Sequence, residues 1–312
     1  MSEETRRTPE AILHRLEWTV LRRLDGLIQG NYRSLFRGAG LDLADLREYQ
    51  YHDDVRHIDW NVTARLQTPY VREFHEDRET SVWFLLDLSP SMDFGSGETS
   101  KRLRVTELLG LLGRLFQRQS NPIGALIYGG QVDHIIRPGN SRRHLLGLMS
   151  RVLGYPAPAT GPGTRLSELL EVAGGAIRRR SIVIIVSDFI SEPGWSTALG
   201  RLASRHAVTA VRVLDPYELT LPDIGLLTIQ DAETGEQLFI DTHDRRFRRR
   251  YEAQVEAREQ ALQTAWRKAG VDVLEVLTDD DLLEALMRLA AMRSGRAAHV
   301  AGAPADERLA TP

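Results

Sequence analysis

The stretch that decides the fold is residues 81–91, SVWFLLDLSPS. Ser81–Asp87 is an unbroken apolar run that ends in a carboxylate, and such a run is typical of a strand buried on both faces of a sheet. Ser89 and Ser91 follow at the second and fourth positions after Asp87. A carboxylate and two hydroxyls on one loop present three oxygen atoms, the ligands that hard cations such as Mg²⁺ prefer. Taken alone, Asp87 equally fits a turn or helix cap.

The chain beyond this strand alternates between apolar runs and amphipathic stretches. Ser181–Ser187 (SIVIIVS) predicts a second buried strand and Ala207–Leu214 a third, with helical patterns between them. This alternation predicts an α/β fold with a doubly wound, mostly parallel sheet. Two short strands, Ile123–Tyr128 and Val132–Ile136, surround a Gly-Gly pair and predict one antiparallel edge strand.

The predicted organisation has three parts. Residues 1–80 hold a helix at 10–29 and a highly charged region without clear periodicity, interpreted as an ordered, irregular segment. Residues 81–292 form the α/β domain, with an excursion at 215–269 that contains a β-hairpin around AETGE and a long helix. Residues 293–312, rich in Ala, Gly and Pro, are predicted to be disordered.

Two residues further along the chain complete a candidate cation site. Asp188 ends the second buried strand, and Thr164 follows a Pro/Gly-rich loop just before a helix. Ligands of doubly wound sheets bind beyond the carboxyl ends of the strands, so Asp87 and Asp188 are expected to emerge side by side. The predicted metal site is a ring of two carboxylates and three hydroxyls: Asp87, Ser89, Ser91, Thr164 and Asp188. It leaves one position open for water or an incoming carboxylate, around Mg²⁺ or else Mn²⁺ or Ca²⁺.

Composition excludes several classes of protein. The net charge is −3 in 312 residues, so no global charge points to nucleic acid. The absence of cysteine excludes disulfides, thiol nucleophiles and thiolate metal sites. The N-terminus has no apolar signal-peptide core, and no apolar stretch reaches the roughly 18 residues of a membrane helix. We therefore expect a cytoplasmic protein without an integral membrane segment.

The five site residues resemble a known motif. Asp-x-Ser-x-Ser, then Thr, then Asp is similar to the metal-ion-dependent adhesion site of von Willebrand factor A domains, where the ion binds an acidic residue of a partner protein. The resemblance implies a von Willebrand factor A-like fold. Further segments are similar to a bacterial family of unknown function that is typically encoded beside MoxR-type AAA+ ATPases: Arg47–Arg65, Val71–Glu79, Asp215–Asp241 and Val271–Leu286. This resemblance implies an accessory role, with the ATPase or its client as partner. Many relatives carry two membrane helices ahead of these segments, and this chain departs from them.

Three functions stay open at this point. The leading one is a non-enzymatic, metal-dependent protein-interaction module. A Mg²⁺-dependent hydrolase or phosphoryl-transfer enzyme using Asp87 and Asp188 is the first alternative, although the sequence has neither a P-loop nor a G-x-S-x-G elbow. A structural scaffold with a vestigial ion site is the second alternative.

The charged segment Arg47–Arg65 allows two interpretations. It could form a docking surface or latch near the ion, or it could hold itself to the sheet by salt bridges, with Trp60 as an apolar anchor. The charged residues concerned are Asp53, Asp54, Arg56 and Asp59. The scattered His52, His57 and His75 fit no compact zinc-ligand spacing.

Overall fold

The computed structural model describes residues 8–23, 45–50, 55, 58, 60–73, 80–156 and 163–288. Its strands are β1 (Asp45–Glu48), β2 (Tyr70–Glu73), β3 (Val82–Asp87), β4 (Ile123–Tyr128), β5 (Val132–Gly139), β6 (Ile182–Ser187), β7 (Ala207–Leu214), β8 (Leu226–Gln230), β9 (Gln237–Asp241) and β10 (Asp272–Leu277). Its helices are α1 (Pro9–Leu16), α2 (Trp60–Leu66), α3 (Lys101–Gln117), α4 (Arg142–Leu153), α5 (Leu166–Ala176), α6 (Trp195–Arg205), α7 (Pro216–Leu219) and α8 (Arg245–Ala269). Residues 282–288 are also helical.

Six strands form the central sheet, in the order β10-β7-β6-β3-β4-β5. All neighbours are parallel except β4 and β5, which pair antiparallel at one edge. The predicted α/β fold, with a mostly parallel sheet and one antiparallel edge strand, is confirmed. Every residue of β3, β4 and β6 is buried, which explains why their sequences are continuous apolar runs.

Helices cover both faces of this sheet. One buried cluster joins the sheet to α1, α3, α4 and residues 282–286, and a second joins it to α5, α6 and the end of α8. Hydroxyl caps fix where the helices start: the Oγ atoms of Ser100 and Ser141 accept hydrogen bonds from the first turns of α3 and α4. Gly270 ends α8 in the left-handed conformation, with φ of 66°.

The winding of the chain reverses between β3 and β6. From β3 the chain proceeds outward to β4 and β5, and then returns to the other side of β3 to build β6, β7 and β10. Leu86 pairs with Val186 in the parallel register, so the two strands end level with each other. The loops that leave them therefore border the crevice where ligands of such sheets bind.

The prediction that the segment before residue 80 is irregular is wrong in part. The strands β1 and β2 pair antiparallel, and α2 lies between them. Since each strand has only four residues, neither leaves a recognisable period of two in the sequence. Trp60 is 67% exposed, so it does not anchor the segment. The residues proposed as a charged latch (Asp53, Asp54, Arg56, Asp59), the three histidines (His52, His57, His75) and the tail at 293–312 lie outside the described residues.

The N-terminal helix and the β-hairpin predicted from the sequence are both present. The N-terminal helix starts at Pro9 and passes into a π-helical turn at Glu17–Leu21, and its predicted end lies outside the described residues. The hairpin of β8 and β9 is present as predicted, as a two-stranded unit separate from the central sheet.

Candidate functional site

The loop after β3 places three of the predicted residues together. Asp87 and Ser89 are fully buried, and Ser91 is nearly so. The backbone N–H of Ser89 donates to Asp87 Oδ1 at 3.0 Å, which folds the loop back onto the carboxylate. Pro90 then begins a single 3₁₀ turn, and this turn brings Ser91 Oγ to 3.3 Å from Ser89 Oγ. Ser187 Oγ, at the end of β6, donates to Asp87 Oδ2 at 2.6 Å.

Asp188 leaves β6 in a strained loop. The next residue, Phe189, has φ of 60°, which is uncommon for a bulky residue and strains the backbone. Its ring packs against Trp195 and Trp266, at centroid distances of 5.4 and 5.5 Å, and this packing holds the strained backbone. Ile190 N–H then donates to Asp188 Oδ1 at 2.9 Å. The loop therefore presents a buried carboxylate in a defined orientation.

Thr164 is held firmly although it follows a Pro/Gly-rich loop. Its carbonyl accepts hydrogen bonds from the backbone N–H of Glu192 and from Ser191 Oγ, both at 2.9 Å. The phenol oxygen of Tyr128 accepts from the N–H of Arg165 at 2.9 Å, so β4 also supports this point. Thr164 is itself buried.

The structure adds a third carboxylate that the sequence analysis did not include. Glu233 lies in the turn between β8 and β9, and its Oε1 accepts from Thr164 Oγ1 at 3.0 Å and from Ser91 N–H at 3.4 Å. These two contacts join the loop of Thr164 to the loop after β3. No local signal in the sequence predicts this contact, because the hairpin is far from either loop along the chain.

A buried ammonium group lies on the other side of Asp188. Lys101, at the start of α3, is fully buried, and its Nζ donates to Asp188 Oδ2 at 2.8 Å and to Glu218 Oε1 at 2.6 Å. Lys101 is not among the predicted site residues, yet its position in the sequence carries a signal. A lysine in the first turn of a helix is unfavourable beside the positive end of the helix dipole, so its presence there indicates a partner of opposite charge.

The pKa values of the carboxylates at this site are shifted from their ordinary values. Burial, together with the charge of Asp188, raises the pKa of Asp87 to about 6. Burial also raises the pKa of Glu233. Burial acts in the same direction on Asp188, but the Lys101 ammonium outweighs it, so the pKa of Asp188 lies below its usual value. The Lys101 ammonium thus compensates Asp188 and Glu218, and neither Asp87 nor Glu233 shares it.

The donor atoms of the cluster suit a hard cation. They are carboxylate and hydroxyl oxygens, and the 3.3 Å between the Oγ atoms of Ser89 and Ser91 is close to the roughly 3 Å between neighbouring ligands of an octahedral ion with bonds of about 2.1 Å. In the part of the chain that the structure describes, no three His, Asp or Glu side chains converge to hold a metal by themselves. An ion here would therefore depend on the hydroxyls. A surface cavity of about 350 Å³ between α5 and α6 is lined by none of these residues.

Sequence comparison identifies the family. The family described as "Protein of unknown function DUF58" matches residues 45–262. The chain belongs to this family. Relatives described as uncharacterised proteins, from Mycobacterium bovis and Mycobacterium tuberculosis, are 33% identical over 285 residues, which is 91% of this chain and 89% of theirs. Another from Mycobacterium avium is 32% identical over 166 residues, covering 53% of this chain and 96% of its own.

Solved structures resemble this DUF58 protein at low sequence identity. One is described as the conserved hypothetical protein BatB from Bacteroides thetaiotaomicron, with a TM-score of 0.44 and 13% identity over 69% of this chain and 99% of that chain. Another is an aerotolerance-related membrane protein from Bacteroides fragilis, with a TM-score of 0.44 and 12% identity over the same shares. No helix among the described residues of the present chain is both long enough and apolar enough to cross a bilayer.

Proposed function

We propose that this DUF58 protein is a non-enzymatic interaction module, in which a divalent cation accepts a carboxylate from a partner protein. The ligands are the five residues identified from the sequence: Asp87, Ser89, Ser91, Thr164 and Asp188. The cation is Mg²⁺, with Mn²⁺ or Ca²⁺ as substitutes.

One observation carries this proposal: Asp87 is a fully buried carboxylate beside the hydroxyls of Ser89 and Ser187, and it has no cationic partner among the described residues. Within the described residues, no Lys or Arg forms a hydrogen bond or ion pair with it; its contacts are the N–H of Ser89 and the hydroxyl of Ser187. A buried charge without compensation is costly, and a bound cation would supply that compensation. The neighbouring hydroxyls are too weak to bind an ion alone but complete an oxygen shell around one that Asp87 attracts.

The proposed partner is a MoxR-type AAA+ ATPase or its client protein, in the cytoplasm. Support comes from the resemblance of the Asp-x-Ser-x-Ser, Thr and Asp residues to the adhesion site of von Willebrand factor A domains, and from their position beyond the carboxyl edge of a mostly parallel sheet. In this arrangement the partner provides an Asp or Glu side chain, and the cation bridges the two proteins.

Calorimetry on the full chain tests the cation. Wild type should bind Mn²⁺ and Mg²⁺, and Asp87→Asn should lose binding, because it removes the charge while keeping the shape of the side chain. The control is Asp279→Asn, an exposed carboxylate that should leave binding unchanged. A pull-down with a MoxR-type AAA+ ATPase should then depend on divalent cation and fail with a chelator. Wild-type protein that binds neither ion, with a pull-down that the chelator leaves unchanged, would refute the proposal.

A further inference from the structure

The tip of the β8–β9 hairpin is built to hold one carboxylate in a fixed place. Asp231 Oδ1 accepts from the N–H groups of Glu233 and Thr234, at 2.9 and 2.8 Å. Asp231 N–H donates to the carbonyl of Glu236 at 2.8 Å, and Gly235 N–H donates to the carbonyl of Asp231, also at 2.8 Å. Four hydrogen bonds therefore order the turn on which Glu233 stands.

This ordered turn sets Glu233 directly over the candidate cation site. Its Oε1 contacts Thr164 Oγ1 and Ser91 N–H, which belong to two of the five proposed ligand residues. Burial, and to a smaller extent the charge of Asp188, raise the pKa of Glu233 above its ordinary value, although its hydrogen bonds from Thr164 and Ser91 act in the opposite direction. A cation bound between these residues would compensate the partly buried carboxylate of Glu233.

The rest of the hairpin is weakly attached to the domain. Leu226, Leu238 and Phe239 are more than half exposed, so they bury little apolar surface that would resist movement. The firm attachment is at the base, where Ile240 is buried and the hydroxyl of Thr242 accepts from the N–H of Gly225 at 2.8 Å. A hairpin that is anchored at its base and held at its tip by Glu233 can release the tip without unfolding the domain.

We propose that Glu233 is an internal carboxylate ligand of the cation: it takes the position that a partner's carboxylate would use, and a partner binds only by displacing the hairpin tip. This inference rests on the proposed function, because it requires a cation at the site. It adds a ligand from a distant part of the chain and makes the β8–β9 hairpin the element that controls access to the ion.

The test compares Glu233→Ala with Glu236→Ala, which alters the same turn at an exposed side chain for which no contact with the site is found. Each full-length protein is saturated with Mn²⁺, and water-proton relaxation measures the water bound directly to the ion. Acetate serves as the carboxylate probe. Glu233→Ala should gain about one bound water, because an octahedral ion replaces a lost ligand. It should bind Mn²⁺ roughly tenfold more weakly and acetate roughly tenfold more tightly, the change expected from one charge-assisted contact. Glu236→Ala should match the wild type.

Two results would overturn the inference, and they differ in what they mean for the proposed function. If all three proteins bind Mn²⁺ with the same number of waters and the same affinity for acetate, Glu233 is not a ligand, but the cation site stands. If none of the three binds Mn²⁺, both the inference and the proposed function are wrong.

Discussion

Replacing Lys101 with methionine tests the charge balance of the site. The lysine is fully buried, and its Nζ donates to Asp188 Oδ2 at 2.8 Å and to Glu218 Oε1 at 2.6 Å. Burial lowers the pKa of this lysine, but the two carboxylates outweigh burial and hold the pKa above its ordinary value, so the side chain is an ammonium ion in the folded protein. Methionine has a similar length and no charge, so Lys101→Met leaves two carboxylates without their common partner.

The expected loss of stability is about 3 kcal/mol. Removing one partner of a buried ion pair costs roughly 3–5 kcal/mol, because the remaining charge stays buried without compensation. The lower end applies here, since the Glu218 side chain is 14% exposed and retains some hydration. For a domain of this size, roughly 3 kcal/mol corresponds to a fall in Tm of about 6–12 °C. The control is Arg201→Met, which breaks a pair with Glu171 whose side chains are 64% and 61% exposed, and should cost less than about 1 kcal/mol.

Thermal unfolding in chelator and in excess Mg²⁺ measures both effects. In chelator, the Tm of Lys101→Met should fall well below that of the control. In Mg²⁺, the variant should recover more of its Tm than the wild type gains, because the proposed cation becomes the remaining compensation for Asp188. A loss in chelator no larger than that of Arg201→Met would refute the energetic argument. An equal gain from Mg²⁺ in variant and wild type would show that the ammonium and the cation do not share Asp188.

Three further substitutions have expected effects on stability, each measured by urea denaturation. Ser187→Ala removes the hydroxyl that donates to the buried carboxylate of Asp87 at 2.6 Å, and should cost about 1.5–3 kcal/mol. Gly270→Ala places a side chain at φ of 66°, and should cost roughly 1–2 kcal/mol. Gly124→Ala sets a new Cβ 2.9 Å from the ring of Trp83 in the sheet, and should cost about 1–3 kcal/mol through overpacking. Changes below about 0.5 kcal/mol at any of these positions would contradict the contacts described there.

The strands and helices of the central domain were predictable because their signals are local. The apolar run before Asp87 predicts a strand buried on both faces, and β3 is buried along its whole length. The glycine at position 270 predicts the end of the long helix, and that residue adopts the left-handed conformation there. The strands that the sequence did not predict, β1 and β2, also have a local explanation. Each has four residues, which is too short for a pattern of alternating residues to distinguish it from a loop.

The convergence of Asp87 and Asp188 was predictable for the same reason. Asp87 and Asp188 each end an apolar run, and parallel neighbouring strands bring such ends to one edge of the sheet. The structure brings these residues together, and the pairing of β3 with β6 is what makes them neighbours. Whether they hold a cation stays a prediction.

The sequence by itself determined the alternation of strands and helices, the parallel sheet, and the hydroxyl and carboxylate residues at the edge of that sheet. The reason is that apolar periodicity and the ends of strands are visible within a few consecutive residues. Only the tertiary structure decided the charge around them. Glu233 reaches Ser91 across 142 positions of the chain, and Lys101 reaches Asp188 across 87. Charge pairing acts through space, so it leaves no periodic pattern along the chain. Only the fold therefore shows that the Lys101 ammonium and the carboxylates of Glu218 and Glu233 lie at this site.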